Sequence, residues 1–226
     1  MRETRILMGM PITIEIADAA AGREDVQAIF DYFAAIDERF SPYKEGSEVS
    51  QINRTEIAEA EYSPAMREVL ALADQTSKDT EGFFNATRPD GRFDPSGIVK
   101  GWALQRAAQL LLARGCRNFY LDAGGDIQTK GVNASGEPWS IGIRNPFNRK
   151  EIVKVLYPNG AGVATSGTAV RGQHIYNPHV PGSSLEEVVS LTVVGPDILE
   201  ADRYATAAFA MGSRGVEFIE RLPGFE

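Results

Sequence analysis

The stretch that decides the fold runs from Phe93 to Asp126 and reads FDPSGIVKGWALQRAAQLLLARGCRNFYLDAGGD. An acidic turn at 94–97 opens it, and apolar residues then recur at the spacing of one helix face. Gly115 follows them, and a glycine there supplies the left-handed conformation that ends many helices. A short apolar strand at 119–121 then leads into Ala123-Gly124-Gly125-Asp126. The stretch predicts a helix, a stop, and a strand that ends in a tight turn.

A polar turn at a helix start and a glycine pair at a strand end are the parts from which α/β units build sites for anionic ligands. Two glycines allow the backbone to approach a bound group closely. The same residues also fit a plain alternative, in which a capped helix and an ordinary strand turn bind nothing. The stretch alone does not separate these two interpretations.

Composition limits the classes of function. The 226 residues carry a formal net charge of −8, which argues against a nucleic-acid role, because a phosphate-binding surface needs excess Lys and Arg. The single Cys116 rules out an internal disulfide and a multi-cysteine zinc site. Two histidines are too few for a His-rich metal centre.

The sequence leaves the compartment open. No apolar run approaches the length of a membrane helix, and the residues after Met1 have no signal-peptide core. We expect a cytoplasmic protein, or a periplasmic or exported one if a leader has been removed. No linker interrupts the chain, so residues 1–226 are expected to form a single domain. Residues 223–226 are interpreted as a linker into a strand that the sequence does not include.

The rest of the chain predicts further elements around the central stretch. The first is a strand at 6–16 with a kink at Pro11. Helices are predicted at 24–39, 63–78, 201–211 and 215–222. After Asp126 the chain has the pattern of β-sheet. Short strands are predicted there at 127–131, 139–144, 151–157, 162–167 and 188–194, with a strand-to-turn segment at 173–178.

Two features outside the central stretch carry chemistry. Asp202 and Thr206 stand four residues apart, so they share one face of a predicted helix. A carboxylate and a hydroxyl there can both bind a hard cation such as Mg²⁺, although a solvated face or an N-terminal cap would use the same residues. His174 is the second feature, because histidine is the usual base near neutral pH. A structural histidine is the alternative.

Eight segments along the chain form a recognisable series. The most specific are SPY at 41–43 with SEVSQIN at 47–53, DPSGIVKGWA at 94–103, GGDI at 124–127, and the Asp and Thr of ADRYAT at 201–206. The others are MGMP at 8–11, the loop after Gly82, ATSG at 164–167 and HIYNP at 174–178. Taken in the order in which they occur along the chain, the segments resemble those of the FAD:protein FMN transferase family, also called the ApbE family. The resemblance covers nearly the whole chain.

The resemblance implies a chemistry and a fold. Members of that family bind FAD and Mg²⁺, cleave the FAD pyrophosphate, and transfer FMN to a threonine or serine hydroxyl of a target flavoprotein, with release of AMP. The implied fold is α+β, with a mainly antiparallel sheet, flanking helices, and FAD in the cleft between two lobes. The implied acceptor is a flavoprotein of the electron-transport subunit type with a Thr/Ser flavinylation motif, and such a target can be membrane-associated.

The resemblance also assigns roles to residues of this sequence. Asp202 and Thr206 match side-chain ligands of Mg²⁺, the backbone carbonyl of Gly97 completes that site, and Asp202 is therefore counted as catalytic. His174 matches the histidine that helps to deprotonate the acceptor hydroxyl. The positions that contact FAD are matched by Met8, Tyr43, Phe83, Phe84, Asn85, Asp94, Lys100, Gly124, Gly125, Asp126 and Ile175. Tyr43 and Phe84 would stack on the rings. Lys100 would face phosphates or ribose, unless it is a solvated helix lysine.

The chain also departs from the family pattern. The histidine motif usually continues with Asp-Pro and then Thr-Gly, whereas Asn177-Pro178-His179-Val180 stands here. The loop after Gly82 ends in Asn85 rather than Asp, and the segment before Asp94 is short. Three functions are kept: a flavin transferase as the leading hypothesis, an FAD pyrophosphatase that yields FMN and AMP, and a carrier that binds FAD without turnover.

Overall fold

A computed structural model of the chain describes residues 1–148, 150–168, 175–180, 185 and 187–226. Elements are numbered here in chain order. They are β1 (Arg2–Leu7), β2 (Met10–Ile16), α1 (Arg23–Phe40), α2 (Glu48–Asn53), a 3₁₀ turn (Glu59–Glu61), α3 (Pro64–Asp79), α4 (Ser96–Ala113), β3 (Phe119–Ala123), β4 (Asp126–Lys130), β5 (Ile141–Arg144), β6 (Ile152–Leu156), β7 (Gly162–Gly167), β8 (Ser190–Gly195), α5 (Ile198–Ala210) and α6 (Arg214–Glu220).

The described strands form one large sheet and one small one. The large sheet has the order β1-β2-β3-β4-β7-β8, and β5 pairs with β6 in a separate hairpin. Every pairing is antiparallel. Helices α1, α4 and α5 pack beside the large sheet. The predicted α+β fold with a mainly antiparallel sheet and flanking helices is therefore confirmed.

Strand alternation sends neighbouring residues to opposite faces of the large sheet. Ala123 pairs with Asp126 across the β3–β4 turn, so Asp126 lies on the face that β3 buries against the helices. Asp122 pairs with Ile127 on the other face. There Ile127 joins Ile141 of β5 in a small second core. One acidic side chain of this turn therefore faces the helices, and another faces the β5–β6 hairpin.

The predicted kinked strand at 6–16 is wrong. Residues 2–16 form a hairpin, with β1 and β2 joined at Met8 and Gly9. Both have positive φ values, +52° and +70°, as a two-residue hairpin turn requires. Methionine is a rare choice for that conformation, and the Met8-Gly9 turn lacks the Asn-Gly or Asp-Gly pair that usually indicates such a hairpin. Pro11 pairs with Ile6 one residue into β2, and it does not kink a continuous strand.

The other predicted elements are present with shifted ends. Helix α5 starts at Ile198, three residues before the predicted start, because Asp197 caps it by accepting from the Glu200 amide. Strand β5 starts at Ile141 rather than at residue 139. Part of the predicted segment at 173–178 lies outside the described residues, and residues 175–178 are not in a strand.

The end of the chain returns to the large sheet. The backbone of Glu226 exchanges two hydrogen bonds with Val194 of β8, at 2.8 and 3.0 Å. Phe225 packs edge-on against Tyr204 of α5, with 5.3 Å between ring centroids. Residues 223–226 therefore contact the fold directly, which the interpretation as a linker did not include. Within the described ranges, no helix combines the length and apolar character needed to cross a membrane.

Candidate functional site

The turn that opens α4 is held by its own side chains. Asp94 Oδ1 accepts hydrogen bonds from the amide and the hydroxyl of Ser96, at 3.1 and 2.5 Å. Pro95 takes the N-cap position, and α4 begins at Ser96. This geometry places Gly97 in the first turn of the helix, so the helix includes the last two residues of the predicted turn at 94–97.

A distant side chain clamps the backbone just before this turn. Asn53, the last residue of α2, donates from Nδ2 to the Phe93 carbonyl at 2.9 Å. Its Oδ1 accepts from the Phe93 amide at 2.8 Å. One side chain thus satisfies both backbone groups of one residue. Ser47 caps α2 by accepting from the Ser50 amide, so the segment at 47–53 holds the turn at 93–97 in place.

Lys100 lies between two buried carboxylates. Its Nζ hydrogen-bonds to Asp126 Oδ2 and lies 3.0 Å from Asp202 Oδ1. The side chains of Asp126 and Asp202 are 1% and 3% exposed, and that of Lys100 is 15% exposed. The alternative of a solvated helix lysine is therefore wrong. Asp126 Oδ1 also accepts from the Thr165 amide at 3.0 Å, so β7 is tied to the same cluster.

The formal charges of these three side chains do not balance. Two carboxylates and one ammonium sum to −1 among poorly solvated groups. A buried charge is unfavourable unless neighbouring groups compensate it. A further cation beside the carboxylates would therefore stabilise the ionised cluster.

Asp202 lies within α5 and does not cap it, since Asp197 is the N-cap. The alternatives of a cap or a solvated face are therefore wrong for Asp202. Its Oδ2 accepts from the Gly101 amide of α4 at 2.8 Å. In a regular helix that amide would donate to the Gly97 carbonyl four residues earlier. A backbone carbonyl has two lone pairs, so the Gly97 carbonyl has capacity for another partner.

The residues predicted to hold Mg²⁺ come together at this contact between α4 and α5. A β-carbon built on Gly97 would lie 3.5 Å from Thr206 Cγ2 and 2.9 Å from Phe84 Cε2. Asp202 precedes Thr206 by one helical turn. Carboxylate, hydroxyl and carbonyl oxygens are the donors that Mg²⁺ prefers, and Mg²⁺ usually keeps positions for substrate phosphates or water. This donor set fits the metal.

The proposed Mg²⁺ ligands are not part of a dense cluster of metal-binding side chains. In the part of the chain that the structure describes, no three His, Cys, Asp or Glu side chains are grouped as metal ligands. Asp202 would be the only charged ligand of the three predicted groups. A metal held by Gly97, Asp202 and Thr206 would therefore take its remaining ligands from substrate and water.

The loop after Gly82 reaches the same place by way of Phe84. Phe84 is 3% exposed, its amide donates to the Thr80 hydroxyl at 3.1 Å, and its ring lies against Gly97. Phe83 is half-buried. Asn85 Oδ1 accepts from the Thr87 amide at 2.8 Å. The loop is thus adjacent to the metal-site residues, and the predicted contacts of its three residues with FAD stay predictions.

The glycine pair and Met8 lie at one end of the large sheet. The Gly124 amide donates to the Pro11 carbonyl at 3.0 Å, which ties the β3–β4 turn to the β1–β2 hairpin. The Gly125 amide donates to Asp122 Oδ1 at 2.8 Å. Because Asp126 follows at once, this end of the sheet adjoins the charged cluster. The predicted contacts of Met8, Gly124 and Gly125 with FAD stay predictions.

None of the described contacts connects Tyr43 or Ile175 with the cluster. The Tyr43 side chain is 90% exposed in the loop after α1. Ile175 is half-buried and begins a short described segment. His174 lies outside the described residues. The roles assigned to these three residues stay predictions.

Two surface cavities do not mark the predicted FAD cleft. One of about 560 Å³ lies between the 3₁₀ turn and α3 and contains no predicted site residue. Another of about 120 Å³ lies between the Phe83 loop and α6. Only Phe83 among the predicted flavin contacts lines either of them. The cleft therefore stays a prediction.

Sequence reasoning missed Asn53 and Gly101 as site residues. Asn53 stands in the motif at 47–53, but its partner Phe93 is 40 residues away. Gly101 did leave a signal, because a lone glycine inside a strong helix pattern usually has a packing reason. A β-carbon there would lie 2.7 Å from Asp202 Cβ, closer than two non-bonded carbon atoms can approach.

Known proteins resemble this chain in sequence and in fold. A sequence profile described as the ApbE family matches residues 8–90 and 86–226. The FAD:protein FMN transferase of Vibrio cholerae is 33% identical over 142 residues, which cover 58% of this chain and 42% of that protein. The Salmonella typhimurium protein of the same name is 29% identical over 151 residues, 63% of this chain and 43% of that protein. The chain thus spans less than half the length of these two relatives.

A solved structure extends the likeness to the fold. The flavin transferase ApbE from Vibrio cholerae superposes with a TM-score of 0.83 at 25% sequence identity. The superposition covers 97% of this chain and 90% of the solved one.

Proposed function

Because the chain belongs to the ApbE family, we propose that it is a Mg²⁺-dependent flavin transferase that attaches FMN through a phosphoester to a threonine or serine of a target flavoprotein. The observation that carries the proposal is the buried cluster of Lys100, Asp126 and Asp202, which adjoins Gly97 and Thr206. We further propose that residues 1–226 act as a single domain, since one core includes residues from Met10 to Ile219.

The proposed reaction exchanges one phosphoryl bond for another. The acceptor Oγ forms a bond to the FMN phosphorus, the pyrophosphate P–O bond breaks, and AMP leaves with the bridging oxygen. The acceptor hydroxyl loses its proton in the same process. Catalysis of such a transfer depends mainly on positioning and on stabilising charge at the phosphoryl oxygens.

The residues of the cluster are suited to that task. Asp202, Thr206 and the Gly97 carbonyl would hold Mg²⁺, which as a Lewis acid supplies positive charge beside the phosphoryl oxygens. Lys100 adds an ammonium that Asp126 keeps in place. The Gly101 amide fixes the second oxygen of Asp202, so the carboxylate is oriented before any ligand arrives. His174 is proposed to take the proton of the acceptor hydroxyl.

The proposed partners follow from the chemistry. FAD is the flavin donor, and the acceptor is a flavoprotein of the electron-transport subunit type with a Thr/Ser flavinylation motif. The net charge of −8 argues against a nucleic-acid partner.

One incubation separates transferase, pyrophosphatase and carrier. The protein is mixed with FAD and Mg²⁺, with and without a recombinant acceptor domain that carries a Thr/Ser motif. Transfer predicts AMP that depends on the acceptor, together with flavin fluorescence that stays on the denatured acceptor. AMP without an acceptor would indicate the pyrophosphatase. Intact bound FAD would indicate the carrier.

A variant pair ties the activity to the cluster. Asp202→Asn keeps the size of the side chain but removes the charge of the proposed metal ligand, so Mg²⁺-dependent turnover should be lost. Glu217→Gln is the matched control, because that carboxylate is 71% exposed on α6. Equal turnover in the two variants would contradict the metal assignment.

A further inference from the structure

We propose that His179 is a positioning residue that latches the segment 175–180 onto the loop 80–86, and thereby sets the relative position of two predicted flavin contacts, Ile175 and Phe83. The proposal rests on the proposed function for its catalytic consequence, but not for the latch itself. His179 has no role in the family assignment, and it stands where the chain departs from the family pattern.

The latch consists of one hydrogen bond and two packing contacts. His179 Nε2 lies 2.9 Å from the Glu81 carbonyl. Because a carbonyl only accepts, Nε2 carries the proton in this contact. The His179 ring also meets the Phe83 ring edge-on, with 4.5 Å between centroids. A β-carbon on Gly82 would lie 3.5 Å from His179 Cε1, so the ring covers the turn itself.

The segment that carries His179 is folded so that its ring points to the loop. Asn177 Oδ1 accepts from the His179 amide at 2.9 Å, and the Asn177 carbonyl accepts from the Val180 amide at 3.2 Å. Asparagine and aspartate both form such turns through a side-chain oxygen. Asn177 can therefore replace the usual aspartate at this position. Tyr176 adds a longer contact, from its hydroxyl to the Thr87 carbonyl at 3.4 Å.

The loop that receives the latch is firmly held. The Gly82 amide donates to the Ser77 carbonyl at 2.7 Å, and the Phe83 amide donates to the Thr80 carbonyl at 2.9 Å. Glu81 and Gly82 have positive φ values of +52° and +81°, which turn the Glu81 carbonyl out of the helix direction. This conformation gives the His179 ring a fixed acceptor.

The contacts continue from the latch to the predicted metal site. Phe83 is followed by Phe84, whose ring lies against Gly97 in the first turn of α4. Displacement of the loop 80–86 would therefore also shift the turn that carries the Gly97 carbonyl. The latch thus links the segment next to the predicted base to the side of the site that would hold the phosphates.

Hydrogen exchange tests the latch without any reference to activity. In His179→Ala, the amides of Gly82, Phe83 and Val180 should exchange faster, by about tenfold for the loss of one net hydrogen bond. His179→Gln keeps a donor and should restore much of the protection, whereas His179→Phe keeps only ring packing. Val180→Ala is the control, since that side chain is 53% exposed. Unchanged exchange at 80–86 in His179→Ala would overturn the proposal.

A second measurement tests the consequence for flavin. FAD affinity, followed by quenching of flavin fluorescence, should fall by about tenfold in His179→Ala and recover in His179→Gln. Faster exchange with unchanged FAD affinity would leave a purely structural contact and overturn the positioning role. If the wild-type protein transfers no flavin although the exchange and affinity changes appear, the proposed function fails and the latch stands.

Discussion

The backbone amide of Gly101 donates a hydrogen bond of 2.8 Å to Oδ2 of Asp202, a residue 101 positions later in the chain. The other oxygen of the same carboxylate lies 3.0 Å from Lys100 Nζ. Adjacent residues of α4 therefore hold both oxygens of Asp202. This arrangement fixes the rotamer of Asp202 without any bound ligand, which is the kind of preorganisation that the proposed metal site would need.

Gly101→Ala tests this contact. The new β-carbon would meet Asp202 Cβ at 2.7 Å and the Ile198 carbonyl at 2.9 Å, so α4 and α5 must separate. We expect the free energy of unfolding to fall by roughly 1–3 kcal/mol, as for other overpacked sites. We also expect Mg²⁺-dependent turnover to fall by more than this loss of stability alone would cause. Gly46→Ala is the control, because a β-carbon there meets nothing within 4 Å. Denaturant unfolding and AMP release measure both effects, and wild-type turnover in Gly101→Ala would contradict the role.

Local sequence patterns were sufficient to predict part of this site. Helix α4 and strand β3 follow from periodicity and a glycine stop within the central stretch, and the Asp202–Thr206 face follows from one helical spacing. The contact between Gly101 and Asp202 could not be derived, because it depends on the packing of two helices far apart in sequence. The same holds for Lys100 with Asp126, and for Asn53 with Phe93.

The wrong prediction of one kinked strand at 6–16 has a different cause. The reversal at Met8 and Gly9 is local, but a methionine at φ +52° is stabilised by the strand pairing on either side and not by its own preference. Tertiary context therefore outweighed local propensity there. Gly9 after Met8 is typical of a tight turn, whereas Pro11 two residues later is typical of a kinked strand.

Lys100→Met should destabilise the protein strongly. It leaves the Asp126 and Asp202 carboxylates buried without their shared ammonium, and breaking a buried ion pair in this way costs roughly 3–5 kcal/mol. Lys78→Met is the control, since its pair with Asp74 is 66% exposed on both sides and worth about 0.5 kcal/mol. Calorimetry should also show that Mg²⁺ raises the Tm of Lys100→Met more than that of wild type, because the metal would replace the lost charge. Equal losses of unfolding free energy in Lys100→Met and Lys78→Met would refute the central role of the cluster.

Asn53→Ala should weaken both the fold and the binding of FAD. It removes two hydrogen bonds to the Phe93 backbone, together worth about 1–3 kcal/mol. Asn53→Asp keeps the acceptor for the Phe93 amide and should be intermediate. The measurements are denaturant unfolding and the KM for FAD. A lower stability with an unchanged KM would show that the clamp does not position the site.

His174→Ala should slow flavin transfer by roughly 10²–10⁴-fold if His174 is the base. The loss should appear in transfer to the acceptor and much less in the affinity for FAD. Single-turnover kinetics with the recombinant acceptor domain give the rate, and fluorescence quenching gives the affinity. A loss of a few-fold only would mean that His174 positions a partner.

Asp122→Asn should stabilise the protein at neutral pH. Burial raises the pKa of the Asp122 carboxyl above its ordinary value, although hydrogen bonds from the Gly125 amide and the Tyr120 hydroxyl act the other way. A folded-state pKa above the unfolded value means that the folded protein favours the protonated acid. Its stabilising contribution is present below the unfolded pKa, about 3.9, and is lost as pH rises through the folded pKa.

The measurement is the Tm of wild type and of Asp122→Asn across a range of pH. The amide side chain of the variant can still accept from the Gly125 amide through Oδ1, so the turn before Asp126 keeps its hydrogen bond. The Tm of Asp122→Asn should exceed that of wild type at pH 7. The difference should shrink as the pH falls through the folded-state pKa of the wild-type carboxyl and should vanish only below the unfolded pKa. A variant that is less stable than wild type throughout would show that the ionised carboxylate is stabilising, because the hydrogen bonds of Asp122 then outweigh its burial.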